Sequence, residues 1–142
     1  MLFEKKEKDI KKKHYAYDDD FQIERDEYLV PLYFVNEGKR KGRIMIEKQC
    51  YDHCVILWSV KIYENYRGKG FGTQMLNETL DYIKEKMPKV REIGLKVHCD
   101  NAIAISLYEK IGFTILKEYS GIDYYFMEKI IKNPWQTVNN VV

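Results

Sequence analysis

Apolar and polar positions begin to alternate at Tyr28. Tyr28, Val30, Leu32 and Phe34 share one side of an extended chain and predict a strand. The stretch Asn36-Glu37-Gly38-Lys39-Arg40-Lys41-Gly42 then supplies turn chemistry, and Ile44 and Ile46 resume the alternation, which predicts an antiparallel hairpin. Pro31 has no N–H to give a ladder, so it belongs on an unpaired side or at a bulge. From Cys54 to Tyr63 the pattern becomes a dense apolar run with the length and β-branched content of a buried strand. Beyond it Phe71, Met75, Leu76, Leu80, Ile83 and Met87 repeat at helical spacing, and Pro88 ends that helix.

A short strand, Ile93 to His98, leads to Asp100-Asn101, either of which suits a helix cap. Ile103, Leu107, Tyr108 and Ile111 form the expected inward stripe of a second helix, and Gly112 sits where a helix end wants positive φ. Two last strands are expected at Phe113 to Tyr119 and Tyr124 to Ile131, joined by the turn Ser120-Gly121-Ile122-Asp123. Hairpin, strand, helix, strand, helix, hairpin is an α+β order, with a parallel strand pair inside a mainly antiparallel sheet.

The chain before the hairpin reads differently. Glu4 to Lys13 is a lysine-rich run with Ile10 as its one apolar residue, expected as a solvated helix or frayed arm. Asp18, Asp19 and Asp20 follow, but a metal site there would need further ligands that the sequence does not announce. With 142 residues, no repeat and no linker, a single domain is expected: a charged segment over 1–27 and a core over 28–132. No apolar run is long enough to cross a bilayer and none reads as a signal peptide, so a soluble, cytoplasmic protein without membrane partners is the default. A net charge of +2 argues against a nucleic-acid binder. Cys50, Cys54 and Cys99 are odd in number and fit no zinc spacing, so reduced thiols and no metal are expected.

The chemistry concentrates in Arg67-Gly68-Lys69-Gly70-Phe71-Gly72, between the buried strand and the long helix. Glycines there let the backbone adopt positive φ and approach a ligand closely. The first helical turn presents unpaired N–H groups and the positive end of the helix dipole, so the natural ligand is an anion, above all a phosphate. Arg67 and Lys69 add charge. The spacing is neither that of a P-loop nor that of a dinucleotide fingerprint.

Tyr66-Arg67-Gly68-Lys69-Gly70-Phe71-Gly72 resembles the pyrophosphate-loop motif (Q/R)-x-x-G-x-(G/A) of the GNAT superfamily of N-acetyltransferases, with Arg67, Gly70 and Gly72 at its defining positions. Asn101 to Phe113 resembles that family's second signature, N-x-x-A-x-x-L-Y-E-K-x-G-F. The resemblance covers about Tyr28 to Lys132 and implies a GNAT fold whose strands before the two helices splay apart. It implies acetyl-CoA as cosubstrate, its pantetheine arm against the backbone of Val60, Lys61 and Ile62 and its pyrophosphate wrapped by Gly68 to Thr73. The implied reaction is direct acetyl transfer to a primary amine in a ternary complex, where positioning supplies much of the rate.

By the same resemblance Tyr108 points its hydroxyl at the departing sulfur, a reasonable task for a phenol; the alternative is a tyrosine packed on the core. Asn101 is either a cofactor contact or a plain helix cap. The acceptor amine must lose a proton. Relatives resembling ribosomal-protein N-terminal acetyltransferases carry a glutamate five residues before the asparagine, where this chain has Lys96. His98 shares the face of Lys96 by strand alternation, His53 is expected near the cleft, and Glu47 is a third candidate base. With fewer than 30 residues before the hairpin, the acceptor wall is abbreviated. An open groove suits a peptide or protein amine, whereas a small amine would need a partner subunit, such as a second copy, to complete the wall. The competing reading is a non-catalytic CoA-binding sensor or subunit.

Overall fold

The computed structural model describes residues 2–5, 14–18, 21–24, 29–49 and 52–131, the first three segments through backbone and pairing alone. Most of the charge run (6–13), together with Asp19, Asp20, Tyr28, Cys50 and Lys132, lies outside the described residues.

The strands are β1 (Leu2–Lys5), β2 (His14–Asp18), β3 (Phe21–Glu24), β4 (Leu29–Asn36), β5 (Lys39–Lys48), β6 (Cys54–Ile62), β7 (Glu92–His98), β8 (Thr114–Ile115) and β9 (Tyr124–Ile130). The helices are α1 (Phe71–Lys86) and α2 (Ala102–Ile111). Seven strands form one sheet in the order β1-β4-β5-β6-β7-β9-β8, and β2 and β3 form a separate two-stranded hairpin. Every pairing in the large sheet is antiparallel except β6 with β7.

The β4–β5 hairpin turns at Glu37 and Gly38, both at positive φ (53° and 73°), the conformation that matches the twist of the flanking strands. Pro31 pairs with Met45 in the β4–β5 ladder, and among the described residues the β1 pairing runs to Leu32. Two expectations need correction. Glu4 and Lys5, the start of the run expected as a helix or frayed arm, belong to the strand Leu2–Lys5, where Phe3 opposes Phe34, and Glu4 and Lys5 oppose Tyr33 and Leu32. The strand expected over Phe113 to Tyr119 shrinks to Thr114–Ile115, followed by a 3-10 turn over Lys117–Tyr119. The Ser120 hydroxyl makes the departure: it donates to the Leu116 carbonyl (2.9 Å) and accepts from the Phe126 amide (3.0 Å).

One face of the sheet carries the core. Leu32, Ile44, Ile46, Leu57, Ile93, Leu95 and Met127 meet Leu76 and Ile83 of α1 and Tyr108 of α2, all nearly inaccessible. Burial of each such side chain stabilises by roughly 1.5–3 kcal/mol relative to exposure. The helix pattern is legible because α1 keeps its buried residues at Met75, Leu76, Thr79, Leu80 and Ile83. Gly112, at φ 111°, ends α2 as expected, its N–H bonding back to the Tyr108 and Glu109 carbonyls.

Gly42 marks a tight approach within the ladder. A Cβ there would stand 2.6 Å from the Lys61 carbonyl oxygen and 2.8 Å from Ile62 Cδ1. Gly42→Ala is expected to cost about 1–3 kcal/mol, the range for forcing a methyl into packed structure. Urea denaturation checks this: the midpoint should fall while the slope stays constant.

Candidate active site

The parallel pair β6/β7 is zipped only from Cys54↔Glu92 to Leu57↔Leu95. Past that point β7 stays with β9 through Lys96↔Phe126, Val97↔Tyr125 and His98↔Tyr124, while β6 stays with β5. The two strands thus part company and leave a V between them. The register of β5 and β6 shows the cause. Met45 opposes Trp58 and Arg43 opposes Lys61, so β6 carries one residue more than β5 across the same span. That is a β-bulge, which bends its strand away from the next. Ser59 within it has φ 52°, an uncommon conformation for a residue with a side chain.

At the mouth of the V the glycine turn adopts the conformation its sequence predicts. Gly68 (φ 76°) and Gly70 (φ 80°) are both left-handed, and a Cβ on either would meet no protein atom within 4 Å. Gly70 is the N-cap of α1 and has no side chain to close the first turn. The first intrahelical bond runs from the Gln74 amide to the Gly70 carbonyl (3.4 Å), so the amides before Gln74 are left for a ligand. The Arg67 Nε donates to the Ile62 carbonyl (2.9 Å) and so ties the turn to the end of β6.

A groove of about 710 Å³ opens here, lined by Ile62, Arg67, Gly68, Gly70, Phe71, Gly72 and Thr73 among the sequence-predicted residues. Lys61 and Val60 lie one and two residues back along β6, and Lys69 is exposed on the turn. The opposite wall is α2, through Ala102, Ile103, Ser106, Leu107 and Lys110. Sequence reasoning misses this wall and places Ile103 inward, whereas it is 86% exposed. The signal is present as a second stripe at i, i+3, i+4 and i+7 (103, 106, 107, 110) beside the core stripe. Lys110, the lysine of the second signature, brings a further cation to the groove. Lys41 is a second omission: buried, bonded to Asn36 Oδ1 (2.8 Å), and 4.9 Å and 5.1 Å from the ring centroids of Phe71 and Tyr66. It fixes the aromatic residues that flank the turn.

Tyr108 is not among the residues lining the groove; it packs in the core, 6% exposed, edge-on to Phe113 with ring centroids 5.9 Å apart. Burial pushes its phenol up to about 12, so it holds its proton at any physiological pH. Asn101 caps α2, its Oδ1 accepting from the Ala104 amide (3.2 Å).

The sheet face opposite the core carries the expected acceptor side. Lys96 and His98 share it, both exposed. The Lys96 ammonium lies 4.8 Å from the Tyr124 ring centroid and 5.9 Å from that of Trp58. Glu47 Oε1 accepts from Trp58 Nε1 and Gln49 Nε2, both at 3.1 Å. His98 Nδ1 accepts from the Asp100 amide (3.2 Å). A neutral imidazole has one donor and one acceptor nitrogen, so that bond puts the proton on Nε2 and leaves no second lone pair for an amine.

His53 is not brought to the cleft. It precedes the first paired residue of β6, six residues before Ser59, about 20 Å away along an extended strand. Its carbonyl accepts from the Arg91 and Glu92 amides (2.8 and 3.0 Å) at the closed end of the parallel pair. Next to it the Cys54 thiol donates to Glu92 Oε2 (3.1 Å). Burial first, then that bond and the charge of Glu92, push Cys54 up to about 11. It is no nucleophile near neutral pH.

Comparison with known proteins agrees with this geometry. An N-alpha-acetyltransferase of Sulfurisphaera tokodaii is 36% identical over 74 residues, 49% of this chain and 44% of that protein. The chain therefore spans less than half the length of that relative. A GNAT-family acetyltransferase from Streptococcus pneumoniae superposes with a TM-score of 0.63 at 26% identity, over 75% of this chain and 69% of its own. The PaiA N-acetyltransferase of Thermoplasma acidophilum, solved with coenzyme A, shares the fold at the same TM-score and 23% identity, over 72% of this chain and 61% of its own. The pattern of the Acetyltransferase (GNAT) family matches residues 2–113, and with the splayed strands and the glycine turn in place, this chain belongs to that family.

Proposed function

We propose that the protein transfers an acetyl group from acetyl-CoA to a primary amine. The observation that carries this reading is the V between β6 and β7 with a glycine turn and an uncapped helix N-terminus at its mouth. The pantetheine arm lies along the open edge of β6 at Val60, Lys61 and Ile62, adding one strand where β7 has departed. The pyrophosphate sits on the amides of Gly68 to Thr73, with Arg67, Lys69 and Lys110 close by. Ser59 and Val60 at the bulge turn backbone groups toward the thioester, where an N–H stabilises the oxyanion of the tetrahedral intermediate. Tyr108 donates to the sulfur as the thiolate leaves.

The acceptor approaches from the face of Trp58, Lys96 and Tyr124. The names of the relatives favour an α-amino group at a protein N-terminus. Chemistry favours it too. An α-amine, with a pKa near 7.7–8.0, is partly neutral at pH 7, whereas a lysine amine is almost wholly protonated. Such an acceptor asks little of a base, and the acceptor face carries only modest ones. Glu47, reached through water, takes the proton; His98 is engaged through Nδ1, and His53 is at the wrong end of the strand. Glu47→Gln is expected to lower turnover at neutral pH by about ten- to a hundredfold, with recovery as pH rises, and His98→Ala to leave the rate within twofold. A pH–rate profile with an N-terminal peptide as acceptor checks both.

The deciding assay follows coenzyme A thiol release across peptides with free N-termini, lysine side chains, polyamines and amino acids. Release with at least one amine supports the enzyme. Tight coenzyme A binding without release from any of them would instead support a sensor or subunit.

A further inference from the structure

His53, Cys54 and Glu92 have no part in the proposed transfer, and they meet at the end of the parallel pair farthest from the groove. Among the described residues their ligand-capable atoms, an imidazole nitrogen, Sγ and a carboxylate oxygen, all lie within 4.8 Å of one another. We propose that these three residues form a binding site for a divalent transition-metal ion, zinc above all, that pins the closed end of the β6/β7 pair.

The backbone pre-arranges the set. Cys54 and Glu92 are register partners in the parallel ladder, so their side chains leave the same face side by side. His53 is tied to the same strand because its carbonyl accepts from both Arg91 and Glu92. No ligand needs a change of fold to reach the others. Sγ of Cys54 and Oε2 of Glu92 are 3.1 Å apart. Zinc bonds of about 2.3 Å to sulfur and about 2.1 Å to oxygen, at the tetrahedral angle, place those atoms about 3.6 Å apart. The pair opens by roughly half an ångström, within the reach of side-chain torsions, and the imidazole closes in. All three side chains are half-buried, accessible to an ion yet shielded from bulk water.

The donor chemistry selects the metal. A thiolate and an imidazole are poor ligands for magnesium or calcium, which take oxygen, and good ones for zinc or cobalt. A coordinated thiol gives up its proton outright, so the Cys54 thiol exchanges its hydrogen bond to Glu92 for a metal–sulfur bond and releases that proton to solvent. Thiolate and carboxylate together balance the charge of a divalent ion, and water completes the tetrahedron. The ligands come from both strands, His53 and Cys54 from β6 and its approach and Glu92 from β7, so that Cys54 and Glu92 are 38 positions apart in sequence. A short-range search for zinc spacings therefore passes over them.

Cobalt(II) tests this without reference to acetyl transfer. The full chain, reduced and stripped with chelator, is titrated with cobalt chloride and followed by absorption. A thiolate-to-cobalt charge-transfer band saturating at one equivalent, with tetrahedral d–d bands displaced by zinc, is the expected result. Cys54→Ser should abolish the charge-transfer band, and Cys99→Ser should retain it. His53→Ala and the near-isosteric Glu92→Gln should each weaken cobalt binding at least tenfold, with circular dichroism confirming that each variant is folded. Zinc should raise the melting temperature of the parent and of Cys99→Ser but not of Glu92→Gln. Absence of the sulfur band, its survival in Cys54→Ser, or parental affinity in both His53→Ala and Glu92→Gln would overturn the proposal.

Discussion

In the Gly70→Val variant neither coenzyme A nor acetyl-CoA is expected to protect the fold against heat. The parent, at ligand a hundredfold above Kd, gains about 2.7 kcal/mol by mass action. For a chain of this size that is a rise of roughly 5–10 °C. Gly70 stands at φ 80°, and a Cβ added there would meet no protein atom within 4 Å, so a valine side chain would occupy the open space in which the proposed pyrophosphate sits. The substitution also strains the backbone by about 1–3 kcal/mol, because a β-branched residue resists the left-handed region. A lost ligand response must therefore be separated from lost stability. Gly38 supplies the control: φ 73°, equally open, but in the β4–β5 hairpin turn. Gly38→Val is expected to lower the melting temperature of the free protein similarly and to keep the full coenzyme A shift. Thermal scans of the three proteins with and without ligand decide it. Protection of Gly70→Val equal to that of the parent would sink the phosphate-turn reading.

The glycine turn is legible in the sequence because its chemistry is local. Three glycines behind an arginine prescribe a left-handed turn at a helix start, whatever surrounds them. The core is legible for a similar reason, since the alternation through Val30, Leu32 and Phe34 and the helical stripe from Phe71 each name their own buried face. What the sequence hides depends on pairing between distant segments. The splay of β6 from β7 arises from one extra residue in β6 relative to β5, visible only once the register of Arg43 against Lys61 and Met45 against Trp58 is known. His53 reads as close to the cleft because strand order is evident from the sequence and strand direction along the V is not. Strand parity places Lys96 and His98 together correctly, yet it cannot reveal that the Asp100 amide occupies Nδ1 of His98. Ile103 reads as inward because isoleucine at helical spacing reads as core. In a fold whose second helix walls a groove, that side chain faces the groove instead. Leu2–Lys5 gives no strand signal since four residues are too few to establish a period.

Tyr108→Phe should lower turnover by about ten- to a hundredfold while leaving coenzyme A affinity unchanged. The figure follows from the worth of a hydrogen bond to a charged group, about 1.5–3 kcal/mol, lost only where the charge develops. Packing is preserved, because phenylalanine keeps the ring that meets Phe113 edge-on. The pH dependence distinguishes how the hydroxyl acts. Burial raises the phenol to about 12, whereas an ordinary thiol ionises near 8.5. The phenol is thus much the weaker acid, and handing its proton outright to the departing thiolate would be uphill. In the proposed transfer it would act by donating a hydrogen bond to the forming thiolate, while the proton that finally reaches sulfur would come from the acceptor nitrogen or solvent. Since the folded-state value is raised, the protonated form persists as pH climbs past the ordinary phenol range and is lost only on approaching about 12. The parental profile should therefore show no alkaline limb from Tyr108 below about pH 11, and Tyr108→Phe should scale the whole profile down without changing its shape. Measurements of kcat from about pH 6 to 10, under conditions where single-turnover rates establish that chemistry is limiting, check this. Unchanged turnover would return Tyr108 to a purely structural role in the core, and an alkaline limb near about pH 9 that vanishes in the phenylalanine variant would show that the phenol ionises during the cycle.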